Sequence, residues 1–119
     1  MRVKQEERVY AVLSATPEEV SLLGFGVYVG DEVPPVPTGF VRAVFGAATW
    51  EEFDRVVAAD AACEPNPTAR PTNPKIILDD GEVVWGAECW WGPESAYKAF
   101  RGARAEKRCS IAAARKALS

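Results

Sequence analysis

Residues 73–93, NPKIILDDGEVVWGAECWWGP, decide the fold. They hold three of the four tryptophans, and Asp79-Asp80-Gly81 separates two β-rich runs, Ile76-Ile77-Leu78 and Val83-Val84-Trp85, as in a tight β-hairpin. A two-residue Asp80-Gly81 loop places Leu78 opposite Val83, Ile77 opposite Val84 and Ile76 opposite Trp85. Side chains alternate along strands, so Ile76, Leu78, Val83, Trp85, Ala87, Cys89 and Trp91 then share one apolar, core-forming face. Lys75, Ile77, Val84, Gly86, Glu88 and Trp90 share the other, which mixes charge, glycine and a large aromatic. A three-residue loop with a glycine bulge shifts the register by one and spoils this sorting, so the two-residue turn is expected.

Upstream, residues 8–14, RVYAVLS, read as a first strand. Thr16-Pro17-Glu18-Glu19 carries a capping-box pattern and predicts a short helix through Leu23, stopped by Gly24. A hairpin turn with 20–25 as a strand is the competing reading. In 25–33, FGVYVGDEV, the residues Phe25, Val27, Val29 and Val33 alternate with Gly26, Tyr28, Gly30 and Glu32. The glycines flanking Tyr28 suit close approach of a ligand or of another backbone. Pro34-Pro35-Val36-Pro37 ends that strand. Residues 40–45 form a short strand or the approach to a helix. Thr49 then caps a helix from Trp50 to about Ala62, with Trp50, Phe53, Val56, Val57 and Ala61 on its apolar stripe.

Residues 63–73, with three prolines, are a loop from which Arg70 can close over whatever the strands bind. Gly92-Pro93-Glu94-Ser95 starts a helix that Gly102 ends. The segment 103–119 favours helix by propensity, but its apolar stripe is thin: Cys109, Ile111 and Leu118.

At 119 residues the chain suits one domain, able to bury roughly two thirds of its unfolded surface. No run of about 18 apolar residues is present, which excludes a spanning helix. The start, MRVKQEERVY, lacks the apolar centre of a secretion signal. Three widely spaced cysteines, Cys63, Cys89 and Cys109, fit reduced thiols in a cytoplasmic setting. The net charge of −3 hides an asymmetry: from Lys98 onward seven basic residues face one acid, Glu106. That basic segment acts as a counter-charge to the acidic body, with nucleic acid as an alternative partner.

The chain has no histidine and no C-x-x-C pair, so no metal site, cofactor or catalytic residue is assigned. Cys89 reads as a core thiol rather than a nucleophile. Asp79 and Asp80 are explained as turn residues. Glu88, mid-strand on the mixed face, has no such explanation. Tyr28, Lys75, Glu88, Trp90, Trp91 and Arg70 therefore form the candidate binding set: rings to stack on, a cation and a carboxylate to pair with a polar ligand.

The motifs G-x-G-V-Y-x-G-D (24–31) and N-P-K-I-x-L-D-x-G-x-V-V-W-G-x-E-C-W-W-G-P (73–93) resemble those of a family of small bacterial and bacteriophage proteins of unassigned function. The likeness covers 8–35 and 73–93. Members often carry cysteine where this chain has Ala87. The resemblance implies no activity; a phage setting implies interference with host machinery or signals.

The expected architecture is α+β: an antiparallel sheet of about four strands with helices packed on one face. It forms a single domain over 1–102, followed by a basic, alanine-rich helix or tail over 103–119. The expected role is non-enzymatic binding of a small polar ligand, with a nucleotide as one candidate. The alternative is a protein partner or symmetric dimer anchored by exposed tryptophan and tyrosine.

Overall fold

Strand β1 (Arg8–Ala15) and the long β2 (Glu19–Glu32) pair antiparallel at the centre of the sheet. The structure is a computed structural model and describes residues 6–38, 42, 45–59 and 70–118. Cys63, most of 40–45 and most of the 63–73 loop lie outside those residues. The helix expected after Thr16 does not form. Thr16 uses its capping chemistry to close a reverse turn: its Oγ1 accepts the N–H groups of Glu18 and Glu19 at 3.2 and 3.0 Å. Its own N–H donates to the Glu19 carbonyl at 2.8 Å. The reversal lets Val20 and Leu22 join a strand on which both become fully buried.

The hairpin forms between β3 (Asn73–Leu78) and β4 (Val83–Trp85), but one residue away from the expected register: Ile77 faces Val83, Ile76 faces Val84 and Lys75 faces Trp85. Three residues form the loop. Leu78 N–H donates to the Glu82 carbonyl at 2.8 Å, and Gly81, at φ +91°, supplies the left-handed position of a glycine bulge. Arg8 forks onto the Asp79 carboxylate at 2.6 and 2.8 Å, and Asp79 N–H donates to Phe25 O at 2.9 Å. The register puts Ile76, Leu78 and Val84 in the core and leaves Ile77 exposed, while Trp85 is buried beside Lys75.

The strand also stops earlier than expected. Gly86–Glu88 is a 3₁₀ turn, held by Asn73 Oδ1 accepting Ala87 N–H at 3.1 Å. The chain then enters β5 (Trp90–Pro93), which pairs with β1. The strand order is β4-β3-β2-β1-β5, so β4 and β5 sit at opposite edges. In a flat sheet four spacings would separate them by about 19 Å. The chain from Trp85 to Trp90 reaches at most about 18 Å fully extended, and much less through a helical turn. The sheet must therefore curl. Its concave side holds Val9, Ala11, Leu23, Ile76, Leu78 and Val84.

Helix α1 (Trp50–Ala59) begins as expected: Thr49 Oγ1 accepts Glu52 N–H at 3.1 Å. Trp50 is core, its indole N–H donating to Pro34 O at 2.5 Å and its ring edge-on to Phe53. Helix α2 (Tyr97–Arg101) ends at Gly102. Tyr97 packs with Tyr10, Val12, Val20 and Leu22 on the convex side.

The C-terminal segment contains the expected helix and, before it, a strand. Residues 105–108 form β6 (Ala105–Arg108), parallel to Glu19, Val20, Ser21 and Leu22 of β2. Helix α3 (Ile111–Leu118) inserts Ile111, 3% exposed, into the concave core. The fold is thus α+β with a six-stranded, mainly antiparallel sheet rather than four strands. Its helices pack on both faces rather than one, because alternate residues of β1 meet α2 and α3. Among the described residues, no helix is long and apolar enough to cross a membrane.

Burial separates the tryptophans of the hairpin region. Leu78→Ala and Trp85→Ala, at 5% and 6% exposure, are expected to lower stability by about 2–5 kcal/mol through cavity formation. Trp90→Ala, at 64% exposure, should change it by about 0.5 kcal/mol or less. A urea titration of the three variants gives the comparison; equal losses at Trp85 and Trp90 would show that Trp90 is also core.

Candidate functional site

The residues expected to form one binding face are distributed over four places. Tyr28 lies against Trp91 on the concave side, ring centroids 5.2 Å apart, and its hydroxyl donates to Asp31 Oδ1 at 2.6 Å. Each ring thus occupies a face of the other that a stacked base would use. Trp90, the adjacent residue of β5, points the opposite way into solvent. Arg70 packs against α1: it pairs with Asp54 at 2.6 Å and stacks over Trp50 at 5.4 Å. Gly26, read as a point of close approach, is one, but the approaching group is the β3 backbone.

Glu88 and Lys75 line two adjoining cavities. The 3₁₀ turn aims Glu88 back under the hairpin, where it receives Arg115 from α3. Arg115 Nε donates to Oε2 at 2.8 Å and Nη2 to Oε1 at 2.6 Å, while Nη2 also donates to Val83 O at 2.9 Å. Oε1 accepts Trp85 N–H at 3.0 Å as well. A forked guanidinium–carboxylate pair of this kind is among the stronger charge-assisted contacts. The Glu88 side chain is only 12% exposed, so its charge depends on these partners. Held this way, the Glu88 carboxylate accepts three hydrogen bonds.

Arg115 lies one helical turn after Ile111, so burying Ile111 brings the guanidinium to the hairpin. Between α3, the hairpin and the extended segment after β2 lies a cavity of 530 Å³. Leu13, Val36, Pro37, Ile111 and Ala114 form its apolar wall; Glu88, Arg115, Thr38 and Arg42 supply the polar groups. A second cavity of 340 Å³ shares Val36, Thr38 and Arg115 with it and reaches Trp85 and Lys75. Lys75 is 3.6 Å from the Glu32 carboxylate. The hydroxyl of Thr38 is buried with no hydrogen-bond partner among the described residues. Arg42 is exposed and makes no ion pair among them.

Sequence reasoning missed Arg115, Arg42, Leu13 and Thr38. One signal was available: a mid-strand carboxylate at Glu88 with no local partner, in a chain whose cations gather after residue 97.

Cys89 closes the 3₁₀ turn, its thiol 3.7 Å from the Trp85 carbonyl. Burial, helped by the neighbouring Glu88 charge, pushes that thiol from 9.0 up to about 12. Burial and a hydrogen bond to Glu106 likewise raise Tyr97 to about 12. In both cases the folded state keeps a proton that the unfolded chain has released. Stability should therefore be intact below about pH 9 and fall as pH rises toward 12. Urea midpoints across that range should decline, with a shallower slope for Cys89→Ala. Identical slopes for the two proteins would rule out the Cys89 contribution.

No protein-family model, curated protein or solved structure matches this chain.

Proposed function

We propose that this protein is a non-enzymatic binding module whose small ligand occupies the cavity between α3, the hairpin and residues 36–38. The observation that carries this reading is the cavity itself. Its 530 Å³ falls within the range of small-molecule sites, about 300–1,000 Å³, and it combines apolar walls with a few convergent polar groups. A nucleotide would have to stack on the exposed Trp90, because Tyr28 and Trp91 already cover one face of each other. A small-molecule fragment library screened by protein-detected NMR tests the proposal. Hits should perturb Leu13, Ala87, Ile111 and Ala114. Hits confined to the Trp90 indole, or no hits, would count against it.

One observation favours a second reading. Trp90 is 64% exposed on an edge strand, and tryptophan is a frequent anchor of protein interfaces. A protein partner or a second copy of the chain would then dock on β5, a role compatible with the phage-type setting that the motifs imply. Trp90→Ala would abolish association in sedimentation and leave cavity ligands unaffected.

A further inference from the structure

We infer that the cavity ligand is an amphiphilic monoanion, a carboxylate with a short or medium-length apolar chain. This rests on the ligand-binding reading above and adds the ligand's charge and shape. The cavity is lined by two guanidinium groups, Arg42 and Arg115, and one carboxylate, Glu88. Glu88 neutralises Arg115 at 2.6 Å, which leaves Arg42 as the guanidinium of the lining with no ion pair among the described residues. A monoanion balances it; a phosphate dianion or a nucleotide would bring excess negative charge beside Glu88, and an ammonium would meet an unpaired cation. Thr38 adds a hydroxyl that lacks an acceptor among the described residues, the group a carboxylate oxygen supplies.

The walls fix the other end of the ligand. Leu13, Val36, Pro37, Ala87, Ile111 and Ala114 offer only carbon to a guest, and burying an alkyl chain there is favourable at about 25 cal/mol per Å². The adjoining 340 Å³ cavity, which shares Val36, Thr38 and Arg115, adds Trp85 and Val83 as further apolar surface. Its two cations are already paired, Lys75 with Glu32 and Arg115 with Glu88. The headgroup therefore sits at the Arg42 side and the chain runs toward Ile111.

Three eight-carbon probes separate charge from apolarity: octanoate, 1-octanol and octylamine, each titrated into the isotope-labelled full chain. Octanoate should bind saturably, move the methyl resonances of Leu13 and Ile111, and raise the melting temperature with ligand concentration by mass action. Octylammonium should do neither, and octanol should bind at least tenfold more weakly. Arg42→Gln should weaken octanoate at least tenfold without moving the unfolding midpoint of the free protein, because Arg42 is exposed. The probe series on the unaltered protein decides the matter independently of that variant. Octanol or octylammonium binding the same methyls as tightly as octanoate would overturn the monoanion while leaving the cavity as a ligand site. Octanoate perturbing neither Leu13 nor Ile111 would overturn it too, and the fragment screen would then show whether the cavity binds anything.

Discussion

Ending the chain after residue 103 is expected to abolish its cooperative unfolding transition. The segment removed contributes β6, whose pairing covers the first half of one edge of β2. It also contributes Ile111, buried against Val9, Ala11, Ile76 and Val84. Losing an aliphatic side chain at such a position costs about 2–5 kcal/mol by itself. The deletion also removes Arg115, the forked ion-pair partner of Glu88. Set against a typical domain stability of about 5–15 kcal/mol, these losses together are sufficient to unfold the protein. Circular dichroism during a thermal ramp reads the result. A sharp transition retained by residues 1–103 would contradict this role for the segment.

Gly26→Ala should be the most damaging single methyl addition in the sheet. A Cβ at position 26 would lie 2.2 Å from the Ile77 carbonyl oxygen and 2.7 Å from the Leu78 Cα, both in the β3 backbone. Backbone cannot rotate away as a side-chain tip can, so β2 and β3 must separate or shear. Overpacking usually costs about 1–3 kcal/mol, and this site should reach or exceed the upper end. The urea midpoint gives the measure; a loss under about 1 kcal/mol would mean that the two strands lie further apart than described.

Gly26 also shows how far the sequence could be read. Its place beside Tyr28 announced a close approach, but nothing local could say whether a ligand or a strand would approach. The Trp50 helix and its Thr49 cap, the turn at 79–81 and the helix start after Pro93 were legible because their signals lie within a few residues. The hairpin register was not, since Arg8, 71 residues from Asp79 in sequence, helps to fix the turn. The crossing from β4 to β5 was hidden for the same reason: Asn73 holds a turn 14 residues away. β6 could not be found from hydrophobic pattern at all. All four of its residues, AEKR, are exposed, and its place in the sheet comes from backbone hydrogen bonds that leave no side-chain signature. Once β6 is missed, α3 reads as a weakly apolar tail, and the Arg115 partner of Glu88 is lost with it. The candidate site was therefore legible as one orphan carboxylate and one cation, Lys75, but not as a cavity.

The proposed site exists only if the C-terminal segment is docked on the sheet and walls the cavity. Residue-resolved amide hydrogen exchange on the full chain measures that docking directly. Ala105 N–H donates to Glu18 O at 2.9 Å and Cys109 N–H to Leu22 O at 3.0 Å, so both should exchange far more slowly than in an unstructured chain. They should also lose protection together with the β1–β2 amides when denaturant is added. If Ala105 and Cys109 exchange at unstructured rates while β1 and β2 stay protected, the segment is a free tail and the cavity it walls does not exist.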